Sequence, residues 1–564
     1  MRLDQALRVL CFALTATAIV NPIITGWNPD ASILRVEDDY YLATSSFEFF
    51  PGTPIYHSKD LASWSLYSHA LTTPGHVQLY GVPGSSGGVW APTLSYHEGI
   101  FYLASMTRWV YDPVQKLWPR VMFYTSKDLK TWSSPVWCEP WGIDPALFHD
   151  PVSGNSYLSL MAPNNNDDRL WGIYQCQVDL VTGRCIGPYM GLWNGTMEHT
   201  AGARPEGPKM TYKDGYYYLV IAEGGTDELH RASVARSRSP EGPFEPAPHN
   251  PILHNGQWGV KNLTVQSTGH ATLVDTPDGE WYAVFLARRN VNGSSPLGRE
   301  AFLTTVKWND EGWPVLNDGK PITLSQSYGS TPDQDRVPET FVDTFKGPNL
   351  HKEWYQLRTP YTENYKRGNK SSSCGGGGVT LVPNVFGLDD RDTPAALLRK
   401  QKSLNMTFSA TLKGTHKPLN IRQSVGISAY QSELVHFDIG VTGCKDNGVC
   451  LYTSLLMNGT TVVNERALNH TSIPSGLSLH IRAQPLEYSL GYSLGDDSVE
   501  WLQPFSSSWL AFAPPGYFVF SGASFALFAS GGGEPWGFES PDVGFTRVEE
   551  VYFEENIPDY DILK

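Results

Sequence analysis

One short pattern recurs five times between residues 28 and 282. A polar or aromatic residue stands among small or proline neighbours. A short apolar run follows, then a turn, then a second run rich in aromatics. The copies open at Asn28-Pro29-Asp30-Ala31, Trp90-Ala91-Pro92, Asp144-Pro145-Ala146, Glu206-Gly207-Pro208 and Gly269-His270-Ala271, about 54 to 64 residues apart. A second motif keeps the same phase: Ser58-Lys59-Asp60-Leu61 before Trp64, Ser126-Lys127-Asp128-Leu129 before Trp132, and a weaker Ser237-Arg238-Ser239-Pro240 before Phe244. A unit of about 60 residues holds four short strands, the make-up of a propeller blade. The spacing therefore predicts an all-β chain whose residues 19–324 form a five-bladed β-propeller.

The chain of 564 residues is too long for that domain alone. Residues 325–338 are polar and turn-rich and read as a linker. From Phe341 the repeat is gone and short β-patterned segments continue, consistent with a β-sandwich over residues 339–564. Aromatic residues make up 12% of the chain and charged residues only 18%. The net charge of −15 argues against nucleic acid or an anionic membrane surface as partner, because both need a basic face.

Residues 1–18 read as a secretory signal peptide. Arg2 and Arg8 flank an apolar stretch too short to anchor in a membrane, and Ala16-Thr17-Ala18 offers a cleavage site. Seven Asn-x-Ser/Thr sequons, at Asn194, Asn262, Asn292, Asn369, Asn405, Asn458 and Asn469, agree with a secreted, extracellular glycoprotein. Cleavage would remove Cys11 and leave six cysteines. Cys176–Cys185 and Cys444–Cys450 are spaced as hairpin disulfides. Cys138 and Cys374 either pair across the domains or stay buried and free. None of these spacings suits a metal site.

In a propeller the innermost strand of each blade lines the central channel, so equivalent positions face one axis. Asp30, Trp90, Asp144, Glu206 and His270 should then meet at one mouth. Three carboxylates in an aromatic-walled pocket suit glycoside hydrolysis, which needs an acid for the leaving oxygen and a second carboxylate at the anomeric carbon. Taken singly, Asp30 and Asp144 could be turn residues and Glu206 a solvated charge; their common phase favours the pocket.

The ordered set of blade openings resembles glycoside hydrolase family 43, the β-xylosidases and α-L-arabinofuranosidases. The stretches that carry the resemblance are Asn21-Pro22-Ile23-Ile24, Asn28-Pro29-Asp30, Ser45-Ser46-Phe47-Glu48-Phe49-Phe50-Pro51-Gly52, Gly88-Val89-Trp90-Ala91-Pro92, Asp144-Pro145-Ala146, Glu206-Gly207-Pro208, Glu223-Gly224-Gly225-Thr226, Gly269-His270-Ala271 and Leu297-Gly298-Arg299-Glu300. The region from Phe341-Val342-Asp343-Thr344-Phe345 onward resembles the concanavalin-like β-sandwich of xylosidase-type members. One departure is Ala31, where many members carry proline.

The resemblance implies roles. Asp30 would be the general base, Glu206 the general acid, and Asp144 the group that orients the acid and raises its pKa. The family inverts configuration, which places base and acid roughly 6.5–9.5 Å apart with a water between. Phe47 and Trp90 would wall the sugar subsite, Arg299 would hydrogen-bond the terminal sugar, and His270 would sit at the channel axis. Glu48 and Glu223 are taken as packing or supporting residues. No cofactor is implied as required; a structural calcium near His270 is the one metal the resemblance suggests. The implied substrates are terminal xylose or arabinofuranose units of xylan or arabinoxylan oligosaccharides. Divergence over residues 107–118 and 163–170 leaves the choice between the two sugars open. The oligomeric state is also open. A non-catalytic carbohydrate-binding propeller and a retaining fructan hydrolase on the same scaffold are the competing readings.

Overall fold

The computed structural model describes residues 19–557 apart from 109–118, 164–170, 199–201, 259–262, 327–338, 369–376, 446–447, 458, 514–517 and 556. The proposed signal peptide, Cys374 and the sequons at Asn262, Asn369 and Asn458 lie outside the described residues. So do most of the divergent segments 107–118 and 163–170. The fold is all-β.

Among the described residues, Ser32 to Leu316 carry five antiparallel sheets that follow one another along the chain. Their inner strands are Ser32–Val36, Thr93–His97, Ile143–His149, Glu206–Lys213 and Val265–Asp275. Each of these packs against the next, and the last packs back on the first, so the five make a closed ring. Ile19–Val20 pairs antiparallel with Ser325–Gln326 and ties the two ends of the ring together. Ser325 and Gln326, assigned to the linker from sequence, are held by this backbone pairing.

The repeated motifs have a structural cause. Asp30, Asp144, Gly207 and His270 adopt left-handed φ values of 60, 54, 60 and 55°. The first-to-second strand register shifts at Ile143/Ala146, Glu206/Lys209 and Gly269/Thr272. The third, fourth and fifth openings are thus bulges, and Asp30 of the first shares their left-handed backbone; small or proline neighbours are what a kink of that kind accepts. The Ser-Lys-Asp-Leu motif closes the third strand. Asp60 Oδ1 accepts from the backbone of Ala62 and Ser63, and Asp128 Oδ1 from Lys130 and Thr131. These are side-chain-capped turns of the same design in two successive sheets.

The C-terminal region is a sandwich of two sheets. One runs Ala395–Lys400, Ser524–Ser530, Ser424–Ser432, Val435–Gly443, Val449–Met457, Thr460–Ala467; the other centres on Met406–Leu412 and Val543–Tyr552. Alternate residues of both, among them Phe408, Ile427, Phe437, Ile439, Ile481 and Phe525, fill the core between them. At about 1.5–3 kcal/mol for each large apolar side chain buried, this core is ample for a stable domain.

The outer face of the first sandwich sheet meets the ring of sheets. Trp27, Phe47 and Phe49 pack with Tyr355, Leu398, Tyr430, Ala526 and Phe528. Phe49 and Phe50 form a short antiparallel pair with Leu357 and Gln356. Buried ion pairs add direction: Arg289 Nε lies 2.7 Å from Glu300 Oε2, and Arg289 also reaches Glu555. Cys176–Cys185 and Cys444–Cys450 are disulfides, as their spacing predicted. Cys138 has no disulfide partner among the described residues, and burial pushes its thiol up to about 12. Of the described sequon asparagines, Asn194, Asn292 and Asn469 are exposed. Asn405 is half-buried, its Nδ2 donating to the Glu554 carbonyl at 2.7 Å.

Candidate active site

The ring brings the predicted residues to one axis. Asp30 precedes the first inner strand and is 7% exposed. Its Oδ1 accepts from Arg299 Nη1 at 3.0 Å and its Oδ2 from the Ser45 hydroxyl at 2.6 Å. Burial pushes its pKa up, but Arg299, then His270, Ser45 and His230, outweigh that and hold it below the ordinary carboxylate value. Asp30 is therefore ionised and oriented, as a proton acceptor must be.

Glu206 opens the fourth inner strand and is half-buried. Its environment acts the other way. Burial first, then the charges of Asp144 and Asp30, push its pKa up to about 8, against weaker opposition from Arg204 and Arg299. Near neutrality it keeps its proton. Asp144 is held by the Gly207 amide, which donates to Oδ2 at 3.0 Å. The residue next to Glu206 thus ties the third and fourth sheets at the carboxylates.

His270 Nε2 lies 3.5 Å from Asp144 Oδ2, and neither ring nitrogen has a hydrogen-bond partner. A Cβ on Gly207 would come within 2.7 Å of His270 Nε2, so only glycine lets this strand cross the imidazole. Behind it lies His230, whose Nε2 is also unpartnered and whose pKa is driven down to about 3, chiefly by burial. Among the described residues no three His, Cys, Asp or Glu side chains are grouped to hold a metal ion.

Arg299 is fixed at three points. Beyond Asp30, its Nε donates to the Phe520 carbonyl at 3.1 Å, and its guanidinium lies 5.3 Å from the Phe520 ring centroid. Phe47 is 1% exposed, with Trp27 and Phe520 rings each 6.2 Å away. Trp90 is half-buried, donates Nε1 to the Ser86 carbonyl at 2.9 Å, and meets Phe520 edge-on at 5.5 Å. The predicted aromatic wall of Phe47 and Trp90 is thus bridged by a third ring, Phe520, supplied by the sandwich. Its amide donates to the Ser85 carbonyl at 2.9 Å, which pins the loop to the ring of sheets.

Three further residues escaped the sequence reading. Phe520 lies in a loop with no repeat to mark it. Arg288 stands opposite Arg299 in register; its Nη2 donates to the Val519 carbonyl at 3.1 Å and its Nε is buried without a partner. Lys209 is buried on the fourth inner strand and donates to Thr93 Oγ1 at 2.7 Å. Burial lowers its pKa to about 8 despite Asp144 and Asp30. Only its position three residues after Glu206 on an inner strand could have marked it. Glu223 and Glu48 are supports, as read from sequence. Glu223 accepts from Thr196 and from Ser233 Oγ, and Glu48 Oε1 from the Ser85 amide at 2.8 Å.

A buried, charged carboxylate within electrostatic reach of a protonated one is the equipment for acid–base cleavage of an acetal. Comparison with known proteins agrees. Residues 19–314 match the family model for glycosyl hydrolases family 43, and residues 342–537 that for the beta xylosidase C-terminal Concanavalin A-like domain. The chain belongs to glycosyl hydrolases family 43. It is a glycosyl hydrolase. It is similar to a non-reducing end alpha-L-arabinofuranosidase of Bacteroides ovatus, with 37% identity over 75% of each chain. It is similar also to a beta-xylosidase of Bacillus subtilis, 35% identical over 73% of this chain and 77% of that one. Among solved structures, a xylan beta-1,4-xylosidase from Bacillus halodurans superposes with a TM-score of 0.81 at 30% identity, covering 94% of this chain and all of the other. The family members' names point to xylosidase and arabinofuranosidase activity, and glycosidase activity on xylan is supported for this chain.

Proposed function

We propose that the protein is a secreted, inverting exo-glycosidase that removes terminal xylose or arabinofuranose from xylan and arabinoxylan oligosaccharides. The observation that carries this reading is the opposed tuning of two carboxylates in one site, Asp30 held down and Glu206 held up. Asp30 takes a proton from the attacking water while Glu206 gives its proton to the departing glycosidic oxygen. Asp144 orients the acid through the Gly207 amide and, by its charge, helps keep it protonated. Arg299 keeps Asp30 charged and offers its donors to the terminal sugar. The Phe47, Trp90 and Phe520 rings favour the apolar face of one sugar ring, which suits release from a chain end.

The five sheets are read as the blades of a five-bladed propeller, an arrangement supported by the ring of inner strands. Export rests on residues 1–18 and on the exposed sequons at Asn194, Asn292 and Asn469.

Paired aryl β-D-xyloside and α-L-arabinofuranoside substrates test the reading, with proton NMR of the sugar first released. Turnover of either with the anomeric configuration inverted is expected. A first product of retained configuration would sink the inverting assignment and favour a nucleophilic carboxylate instead. Loss of neither activity on Glu206→Ala would remove the acid from this site.

A further inference from the structure

A cavity of about 280 Å³ with a mixed polar and apolar lining lies entirely within the sandwich, on the outer face of its six-stranded sheet. It takes none of its lining from the catalytic carboxylates. His436 and Asp438 stand side by side on one strand, with Tyr452 and Ser454 on the next, and the exposed Glu465 and Val463 at the rim. His436 is 4% exposed. Its Nδ1 is 2.9 Å from Asp438 Oδ1, while Nε2 is buried and has no partner. Ser428 Oγ and Tyr430 OH, opposite Asp438 and His436 in register, are also buried and unpartnered, but neither lines the cavity. A buried polar group costs free energy unless something completes its hydrogen bonds.

The lining selects the chemistry of that partner. Asp389, Asp438 and Glu465 would repel an anion. A metal ion has no adequate donor group among the described residues. An apolar molecule would leave the carboxylates unpaired. A neutral molecule with several hydroxyls fits this lining: hydroxyls donate to the carboxylates beside the His436 ring, and carbon faces lie on Tyr452, Val463, Leu456 and Phe528. Phe528 belongs also to the seam that carries Trp27 and Phe47, so the cavity opens beside the wall that closes the active site.

We infer that this face of the sandwich is a second carbohydrate-binding site, which holds a neutral pentose or hexose unit of the polysaccharide while the catalytic pocket takes a terminal sugar. The inference rests on the glycosidase reading for the identity of the polymer, and on the cavity alone for the existence of the site.

The test uses the full chain carrying Glu206→Gln, so that polymer is bound and not consumed. Affinity for soluble arabinoxylan is measured by titration calorimetry with and without His436→Gln or Val463→Trp. Val463 is exposed, and a tryptophan there fills the cavity without entering the core. Each change is expected to weaken polymer binding about fivefold or more. In the otherwise native chain, each should leave kcat/KM on an aryl glycoside within about twofold of the parent. Unchanged polymer affinity in the folded Val463→Trp protein overturns the site, showing that ordered water alone fills it. A parallel loss on the aryl glycoside overturns its independence from the catalytic pocket. Absence of aryl glycoside turnover in the parent would count against the glycosidase reading only, since polymer affinity still decides the second site.

Discussion

The carbonyl of Phe520 accepts a hydrogen bond from Nε of Arg299 at 3.1 Å, across the boundary between the two domains. Arg299 in turn holds Asp30. The proposed base is thus positioned partly by the sandwich, which makes that domain a component of the site. Phe520→Ala, which keeps the carbonyl but removes the ring between Phe47 and Trp90, should lower kcat/KM about 10- to 100-fold. Melting temperature should change little. Steady-state kinetics beside a thermal melt separates this from simple destabilisation.

A raised pKa at Glu206 and a lowered one at Asp30 set the pH profile. Activity requires Asp30 ionised and Glu206 protonated, so kcat/KM should fall on the alkaline side as pH passes about 8. On the acid side it should fall only below the ordinary carboxylate pKa of 3.8. Burial is the largest cause of the Glu206 shift and Asp144 the next. Asp144→Asn should therefore move the alkaline limb to lower pH without abolishing it. A limb that stays in place would separate Asp144 from the tuning of the acid.

Glu206→Ala should cost about 10²–10⁴-fold on a natural disaccharide, where the leaving alcohol needs a proton. On an aryl glycoside whose leaving phenol is already acidic, the loss should be much smaller. Equal losses on both substrates would mean that Glu206 is not the proton donor.

The same pKa shift has a stability sign. In the folded state Glu206 keeps its proton up to about 8, against an ordinary value of 4.5. Between those values the folded chain binds more protons than the unfolded one, so this group's contribution to stability is lost as pH rises through the window. Glu206→Gln removes the penalty. The variant should melt higher than the parent at pH 8 and at a similar temperature at pH 4, a comparison made by calorimetry.

Gly88 has φ of 96°, and a Cβ there would lie 2.1 Å from the Phe47 carbonyl oxygen. The Phe47–Val89 bridge beside it sets where both Phe47 and Trp90 lie. Gly88→Ala should destabilise the protein by more than about 2 kcal/mol and reduce activity in the fraction that folds. Denaturant unfolding measures the first and active-site titration the second.

The parts of the site that repeat were open to sequence reasoning, because kinked backbone near the heads of the inner strands imposes similar small neighbours on Asp30, Asp144, Glu206 and His270. What lies between the repeats was not. Phe520 comes from a loop of another domain, and the contact that places it, Arg299 to its carbonyl, is made by backbone that any residue could supply. Arg288 reads in sequence as an ordinary strand residue beside Arg289. Only the register that sets it opposite Arg299 shows that it faces the site while Arg289 turns away to Glu300. The pairing of Ser325 and Gln326 with Val20 and Ile19 is made through main chain, which composition does not encode.

The order of synthesis gives the interdomain wall a temporal meaning. Asp30, Asp144, Glu206 and Arg299 have all been translated while Phe520 is still 221 residues away from Arg299. At about 5–20 residues per second, that gap lasts roughly 10–45 s. Throughout it the nascent chain carries its full set of carboxylates without the ring that completes the pocket, so the site is finished only after Phe520 has been made and the sandwich has docked.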